Sequence, residues 1–365
     1  MSRELNPGLG APLASARRPT PRVVAGRPIL LDRLLMVVVL IGALAIPLIT
    51  RSPYVLNLVI VLYLYTILNL SWNLVLGVSG IFSFGQLALF GIGAYTSVLL
   101  NYHYQVSPYL GTLAGALAAV LASLLIGLPS LRLTGIYVVL LTLAFHEILR
   151  NLIVTDTTKW TGGGFGIFNY SRYGLEALDQ RIALTVFYYA ALVLLAVSSY
   201  AFWKIMNSGL GLAFRALRDS QAYALARGIP EYRYKLLVFS TSAFFAGLAG
   251  AFYAHYLGAV SPAIFSFGLM MNLLAMIVIG GLGSYGGPFI GTALLMVINE
   301  LLRGIDQWRL IILGSAMAGV IILLPSGLVG PLRQLKNRIG YWIEEWLGDE
   351  DLREEDSETT GQLPR

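Results

Sequence analysis

Residues 54–76 read YVLNLVIVLYLYTILNLSWNLVL, an apolar run without a charged side chain. A bilayer core takes about 20 apolar residues of helix to cross, so this run is long enough to span one. Its polar groups are few: Asn69 and Asn73 stand on one helical face with Trp72 beside them, and amides inside a span hydrogen-bond to neighbouring helices. The whole chain is of the same kind. Of its 365 residues, 57% are hydrophobic and 12% charged, too apolar for a soluble domain with a polar surface. Cysteine is absent, which excludes a disulfide framework or a thiolate metal site. His103, His146 and His255 lie far apart and none has a ligand partner at metal spacing, so neither a metal nor another cofactor is expected.

Windows of span length give ten candidates, near 34–50, 54–76, 81–100, 110–128, 135–153, 182–203, 236–256, 269–284, 287–302 and 310–325. The eighth and ninth are short and share a glycine-rich break, which leaves open one long broken helix. The expected fold class is an all-α integral membrane protein, a polytopic helical bundle of about 10 transmembrane helices, in the range 8–10.

Charge orients the bundle through the positive-inside rule. Residues 1–33 carry six arginines against Glu4 and Asp32, residues 204–235 carry six basic residues against Asp219 and Glu231, and residues 154–181 balance three of each sign. The first two segments are expected on the cytoplasmic side and the third on the periplasmic side, with both termini inside. The net charge of +6 sits at the ends of apolar segments, a topological pattern rather than a nucleic-acid patch. Expected domains are a disordered basic cytoplasmic arm at 1–30, a transmembrane domain at 31–332 with a cytoplasmic loop at 204–235, and a disordered cytoplasmic amphipathic and acidic tail at 333–365. Ala43-Leu44-Ala45 resembles a signal-peptide cleavage triplet, but the polar stretch before it is too long for an ordinary n-region.

The basic loop holds GLGLAFRALRDSQAYALARGIPEYRYK, residues 209–235. Leu210, Phe214 and Leu217 repeat at helical spacing with Leu225 near the same face, while Arg215 and Asp219 stand as an i, i+4 pair. A short amphipathic helix is expected, ended by Gly228 and Ile229-Pro230. It either rests on anionic membrane lipid or docks into a groove of a cytoplasmic partner.

This loop resembles the coupling loop of ABC importer permeases of the branched-chain amino acid type, in which Gly211, Ala213, Ala216, Arg218, Asp219, Ala222, Gly228, Lys235 and Leu236 match the family pattern. Gln221 stands where the family usually has Glu, which removes a charge from the partner contact. Further blocks follow in the family's order: NLVLGVSGIFSFGQLALFGIGAYTSVLL, LRLTGIYVVLLTLAFHEILRNLI, WTGGGFGI, VSPAIFSF, IGGLGSYGGPFIGTALL and PSGLVG. The likeness covers about residues 54–332 and is nearer to the LivM-type subunit than to its LivH-type partner. It implies a multi-pass permease of the bacterial inner membrane and a pairing with a LivH-type permease, cytoplasmic ABC ATPase subunits and a periplasmic substrate-binding protein. It also implies ATPase coupling through Gly211, Arg215, Ala216, Arg218, Asp219, Gln221 and Gly228, for branched-chain or other neutral amino acids. Independently, the sequence has no G-x-x-x-x-G-K-[ST] loop, so it cannot hold ATP in the P-loop manner. The chain is expected to be a non-catalytic transport subunit.

GGLGSYGG, residues 280–287, and GVSGIFSFG, residues 77–85, are open to two readings. Glycines permit close helix packing, as in Gly287-x-x-x-Gly291 and the seam Ala243, Gly247, Ala251, or they break helices where a pathway runs. Ser83, Gln86, Gly281, Gly283 and Ser284 are the pathway or helix-break candidates. Glu147 and Arg150, one turn apart, are expected to satisfy each other. No chain of intramembrane carboxylates suggests a proton relay. Two alternatives stay open: a stand-alone channel or secondary transporter for a small polar solute such as urea or an amide, and a rhomboid-like protease. The latter rests on Ser79 in G-x-S-G and His255 in A-H-x-x-G.

Overall fold

The computed structural model describes residues 41–50, 52–130, 132, 133, 135–302, 314, 315, 318, 319, 322, 327–332 and 334. The chain divides into two units, 1–42 and 43–365, and the elements below belong to the second. The arm at 1–30, the tail at 333–365 apart from residue 334, residues 34–40 of the expected span 34–50 and most of the expected span 310–325 lie outside the described residues, while 41–49 are helical.

The elements are helices α1 (Pro53–Asn73), α2 (Gln86–Tyr104), α3 (Pro108–Ser130), α4 (Ile136–Val154), α5 (Gln180–Met206), α6 (Gly209–Asp219), α7 (Gln221–Ala226), α8 (Glu231–Leu257), α9 (Phe267–Gly280) and α10 (Gly287–Leu301). A π-helical turn, Leu74–Val78, continues α1. Among the described residues, five segments are long and apolar enough to cross a membrane: Pro53–Val78, α3, α4, α5 and α8, with α9 and α10 apolar but shorter. The expected break between the eighth and ninth spans is real, since α9 and α10 are separate helices. The expected third span begins only at Gln86, because residues 79–85 are not helical. The all-α expectation needs one correction, since Ile167–Phe168 (β1) pairs antiparallel with Ala259–Val260 (β2).

Small residues set the packing. In α3, Gly111, Gly115, Ala116 and Ala119 are buried, whereas Leu110, Leu113, Leu117, Leu121 and Leu125 are exposed. Large apolar side chains thus point outward, as suits a helix solvated by lipid, and the small face lets backbones approach. A Cβ on Gly93 of α2 would run into the carbonyl of Gly247 of α8, and one on Gly247 would meet Ala116 Cα of α3 at 3.1 Å. The seam foreseen at Ala243, Gly247 and Ala251 therefore packs α8 against α2 and α3. Another seam joins α9 to α10, where Gly291 abuts the Met276 carbonyl.

Helix α1 is the hub for polar ties. Tyr63 and Tyr188 of α5 share a hydroxyl hydrogen bond of 2.7 Å, and Asn69 Nδ2 donates to Thr292 Oγ1 of α10 at 2.8 Å, the interhelical role expected of it. Glu147 and Arg150 pair at 3.5 Å, also as expected.

Candidate functional site

The basic loop folds as two helices rather than one. Ser220 interrupts them with extended backbone, and its hydroxyl caps α7 by accepting from Tyr223 N. Helix α6 is capped at its start by Ser208, whose Oγ accepts from Leu210 N at 3.2 Å. Phe214 and Leu217 are buried, as their spacing foretold, but Leu225 is exposed because it sits on the second helix. Gly228, at φ 79°, closes α7 in a Schellman arrangement: Ile229 N donates to Ala224 O at 3.1 Å and Gly228 N to Leu225 O at 2.9 Å.

The expected Arg215–Asp219 pair does not form. Arg215 Nη2 donates to the Met206 carbonyl at 2.9 Å, satisfying an end of α5 that has lost its helical partner, and Asp219 pairs with Arg218 Nε at 2.9 Å. Gly211 packs against the Met206 carbonyl with no room for a Cβ, and Ala216 is half-buried. Gln221 Nε2 donates to Glu231, which also pairs with Lys235. The outward surface of the pair is therefore Leu212, Tyr223 and Leu225, interspersed with Asp219, Gln221 and Arg227.

Both glycine-rich segments are breaks, and both are tied to α1. In the first, Trp72 Nε1 donates to Ser83 O at 2.8 Å, and Phe84 N donates to Thr142 Oγ1 of α4 at 3.0 Å. Ser83 is buried and its Oγ accepts from Gly85 N at 3.2 Å. Gln86, also buried, donates to Ser71 Oγ at 2.9 Å and leaves its own Oε1 without a partner. In the second break, Gly281 and Gly283 take φ values of 122° and 73°, conformations that favour glycine. Ser284 Oγ donates to Gly281 O at 2.8 Å and accepts from Gly287 N at 3.0 Å. Asn73 clamps this second break twice: its Oδ1 accepts from Gly283 N, and its Nδ2 donates to Ser284 O, each at 2.8 Å.

The breaks meet. A Cβ on Gly77 would run into Gly283 N, and one on Gly283 would lie 2.9 Å from Gly77 O. Packing and helix breaking, two readings of the same glycines, thus coincide here. Arg218 reaches this point from α6 and donates from Nη1 to Gly77 O at 2.8 Å. Of the residues singled out in sequence, Arg218, Gly283 and Ser284 come together, while Ser83 and Gln86 lie on the other flank of α1's end. Gly77 and Gly80 were visible as members of a glycine-rich stretch and as the glycines of the G-x-S-G motif around Ser79, not as a meeting point with Arg218. The spacing of Asn73 and Gly77, one helical turn apart, was the signal that could have joined them.

The protease reading finds no support in the geometry. Ser79 Oγ donates to Val75 O at 2.6 Å, and His255 Nε2 bonds Ser97 Oγ at 2.8 Å, its Nδ1 meeting Ser171 O at 2.7 Å. That last contact requires the proton on Nδ1, since a carbonyl only accepts. Near the opposite end of α8 from the basic loop, residues 169–172, Glu176 and Leu257–Gly258 line an open cavity of about 510 Å³. Arg172 there donates to Tyr256 O at 2.7 Å and lies over the Phe187 ring at 5.6 Å.

Residues 54–325 match the family described as branched-chain amino acid transport system, permease component. The chain is 33% identical over 332 residues to the high-affinity branched-chain amino acid transport system permease protein LivM of Escherichia coli K12, covering 85% of this chain and 78% of that one. It is 32% identical, with the same coverage of 85% and 78%, to LivM of Salmonella typhimurium. It is 30% identical to the autoinducer 2 import system permease protein LsrC of an Enterobacter species, over 66% of this chain and 68% of that one. No solved structure matches.

Proposed function

The chain belongs to the permease family of branched-chain amino acid transport systems, multi-pass proteins of the bacterial inner membrane, and from that premise we propose that it forms half of the pathway of an ABC importer. Branched-chain or other neutral amino acids are the cargo, and a LivH-type permease supplies the other half. Hydrolysis of ATP belongs to separate cytoplasmic subunits, and a periplasmic binding protein delivers the solute. The chain itself is non-catalytic. It crosses the membrane about ten times with both termini inside, so that α6 and α7 lie on the cytoplasmic side.

The observation that carries this reading is the two-sided character of the helix pair. Its inner side is fastened to the bundle through Phe214, Leu217 and Arg215, while its outer side presents Leu212, Tyr223 and Leu225 to solvent. Three large apolar groups displayed on a charged loop suit a protein groove. An ATPase seated there would move the helix pair as a rigid body, and α5 and α8, which flank it in the chain, would carry that movement into the membrane.

The test is purification of the tagged chain, co-expressed with its companion subunits, with and without Leu212→Asp and Leu225→Asp. A second permease and an ATPase are expected to accompany the wild type, and the double variant is expected to keep the permease and lose the ATPase. A wild-type chain that purifies alone, under conditions that hold known importers together, would sink the proposal. Competition by unlabelled autoinducer 2 against labelled leucine in the intact system tests the cargo: leucine uptake unaffected by autoinducer is the expected result.

A further inference from the structure

We propose that Arg218 is a positioning residue that works inward, joining the cytoplasmic helix pair to both glycine breaks so that the three move together. This rests on the loop being the ATPase-coupled segment. The family pattern places Arg218 on the loop without saying which way it faces, and the structure turns its guanidinium toward the membrane domain.

The reason begins with backbone hydrogen bonding. At the end of α1 the chain unwinds, with Ser79 N donating to Leu74 O at 3.1 Å and Ile81 N to Val75 O at 3.0 Å. In an α-helix the Ile81 amide would have gone to Gly77 O. The wider winding leaves that carbonyl free, and a buried carbonyl needs a donor. Arg218 Nη1 supplies it at 2.8 Å. Gly80 makes the approach possible: it turns the chain at φ 70°, and the Arg218 stem lies directly over it, where a Cβ would strike Cγ.

The same carbonyl touches the second break. Gly77 and Gly283 are in backbone contact, a Cβ on Gly283 would also come within 3.2 Å of Arg218 Nη1, and Asn73 fixes Gly283 to α1. Among the described residues, the Arg218 bond is the one hydrogen bond that joins the helix pair to either break. The rest of α6 is anchored to α5 through Met206. A displacement of α6 by a docked partner therefore has in this guanidinium a direct hydrogen-bonded route to the breaks, beside the indirect one through α5, whose Ser199 bonds Tyr285 of the second break. Beside it, Asp219 holds Nε at 2.9 Å with its carboxylate 66% exposed, within reach of whatever docks outside.

Arg218→Gln, in the assembled complex with its ATPase, separates this role from a docking contact and from a merely structural one. The chain has no cysteine of its own, and Phe82 and Leu282, at the exposed tips of the two breaks, serve as sites for single cysteines. With Arg218 present, labelling of Leu282→Cys by an impermeant maleimide is expected to change with the nucleotide state of the ATPase. With Arg218→Gln the ATPase is expected to remain bound and to hydrolyse ATP, transport to fall about tenfold or more, as the loss of ~1.4 kcal/mol of coupling would give, and labelling to become insensitive to nucleotide. Arg218→Lys keeps one donor for Gly77 and is expected to recover part of both readouts. Normal transport by Arg218→Gln would overturn the inference, and so would loss of the ATPase from it, which would make Arg218 a docking residue. If the glutamine variant does not accumulate, the same readouts on Arg218→Lys decide: lowered transport and a weakened nucleotide response of labelling with the ATPase still bound support the inference, whereas transport and labelling that match the wild type would mark a structural contact only. A wild-type chain that binds no ATPase would instead overturn the function proposed above.

Discussion

At the scale of single residues, the structure separates two asparagines that look alike in sequence. Asn69 makes one firm bond to Thr292, whereas Asn73 holds both an N–H and a C=O of a segment more than two hundred residues away. Replacing Asn73 by alanine leaves two backbone groups without that partner, for which about 1–3 kcal/mol of destabilisation is expected. Asn69→Ala should cost nearer the average of about 0.6 kcal/mol for a hydrogen bond between membrane helices. Unfolding by titration with a denaturing detergent measures both, and equal losses would contradict the clamp. That α1 carried polar contacts was legible, because amides stood out in an apolar run. The partner of Asn73 was not, because nothing local in 54–76 points to residues 283 and 284. The Arg215–Asp219 pair was misread for a related reason: helical spacing allows it, yet Arg215 goes to the unfilled carbonyl of Met206, outside the helix, and Asp219 pairs with its neighbour Arg218.

Among the elements, the helices were legible where apolar runs are long, and their ends where a signal is chemical. Gly228 followed by proline marked the end of α7 correctly, but Ser220 did not announce itself as the junction of two helices, since serine is also tolerated inside one. The two-residue strands gave no alternating pattern to find. The seam of α2, α3 and α8 was legible as small residues at helical spacing, and it sets a sharp contrast. Gly247→Val puts bulk where Gly115 O and Ala116 Cα already stand about 3.1 Å from a Cβ position, and is expected to abolish recovery of monodisperse protein in size-exclusion chromatography. Leu117→Ala on the outward face of α3 should leave the elution profile unchanged and the stability within about 0.5 kcal/mol of the wild type. A benign Gly247→Val would mean that these helices do not approach as described.

For the whole molecule, family and apolar architecture were readable from the order of blocks, but the number of crossings was not. Helix α9 has 14 residues and α10 has 15, so each rises only about 21–23 Å against a bilayer core of about 30 Å. Composition cannot decide how such a pair sits, because its break is sheltered by Asn73 and Gly77 from another part of the chain, the circumstance in which non-helical backbone is tolerated at depth. The proposed orientation is open to direct measurement. A cysteine replacing Phe165 is expected to react with an impermeant reagent in intact spheroplasts, and one replacing Leu225 only after permeabilisation, both side chains being exposed. The reverse pattern would invert the topology and remove α6 and α7 from the cytoplasm.

The most direct measurement is leucine uptake into proteoliposomes that hold this chain with its companion permease, ATPase and binding protein, with ATP supplied on the α6 side. An importer coupled through the helix pair will accumulate leucine only with ATP, and will lose accumulation when Leu212 and Leu225 carry aspartate. Leucine flux through this chain alone, or uptake indifferent to ATP and to those two substitutions, would contradict it.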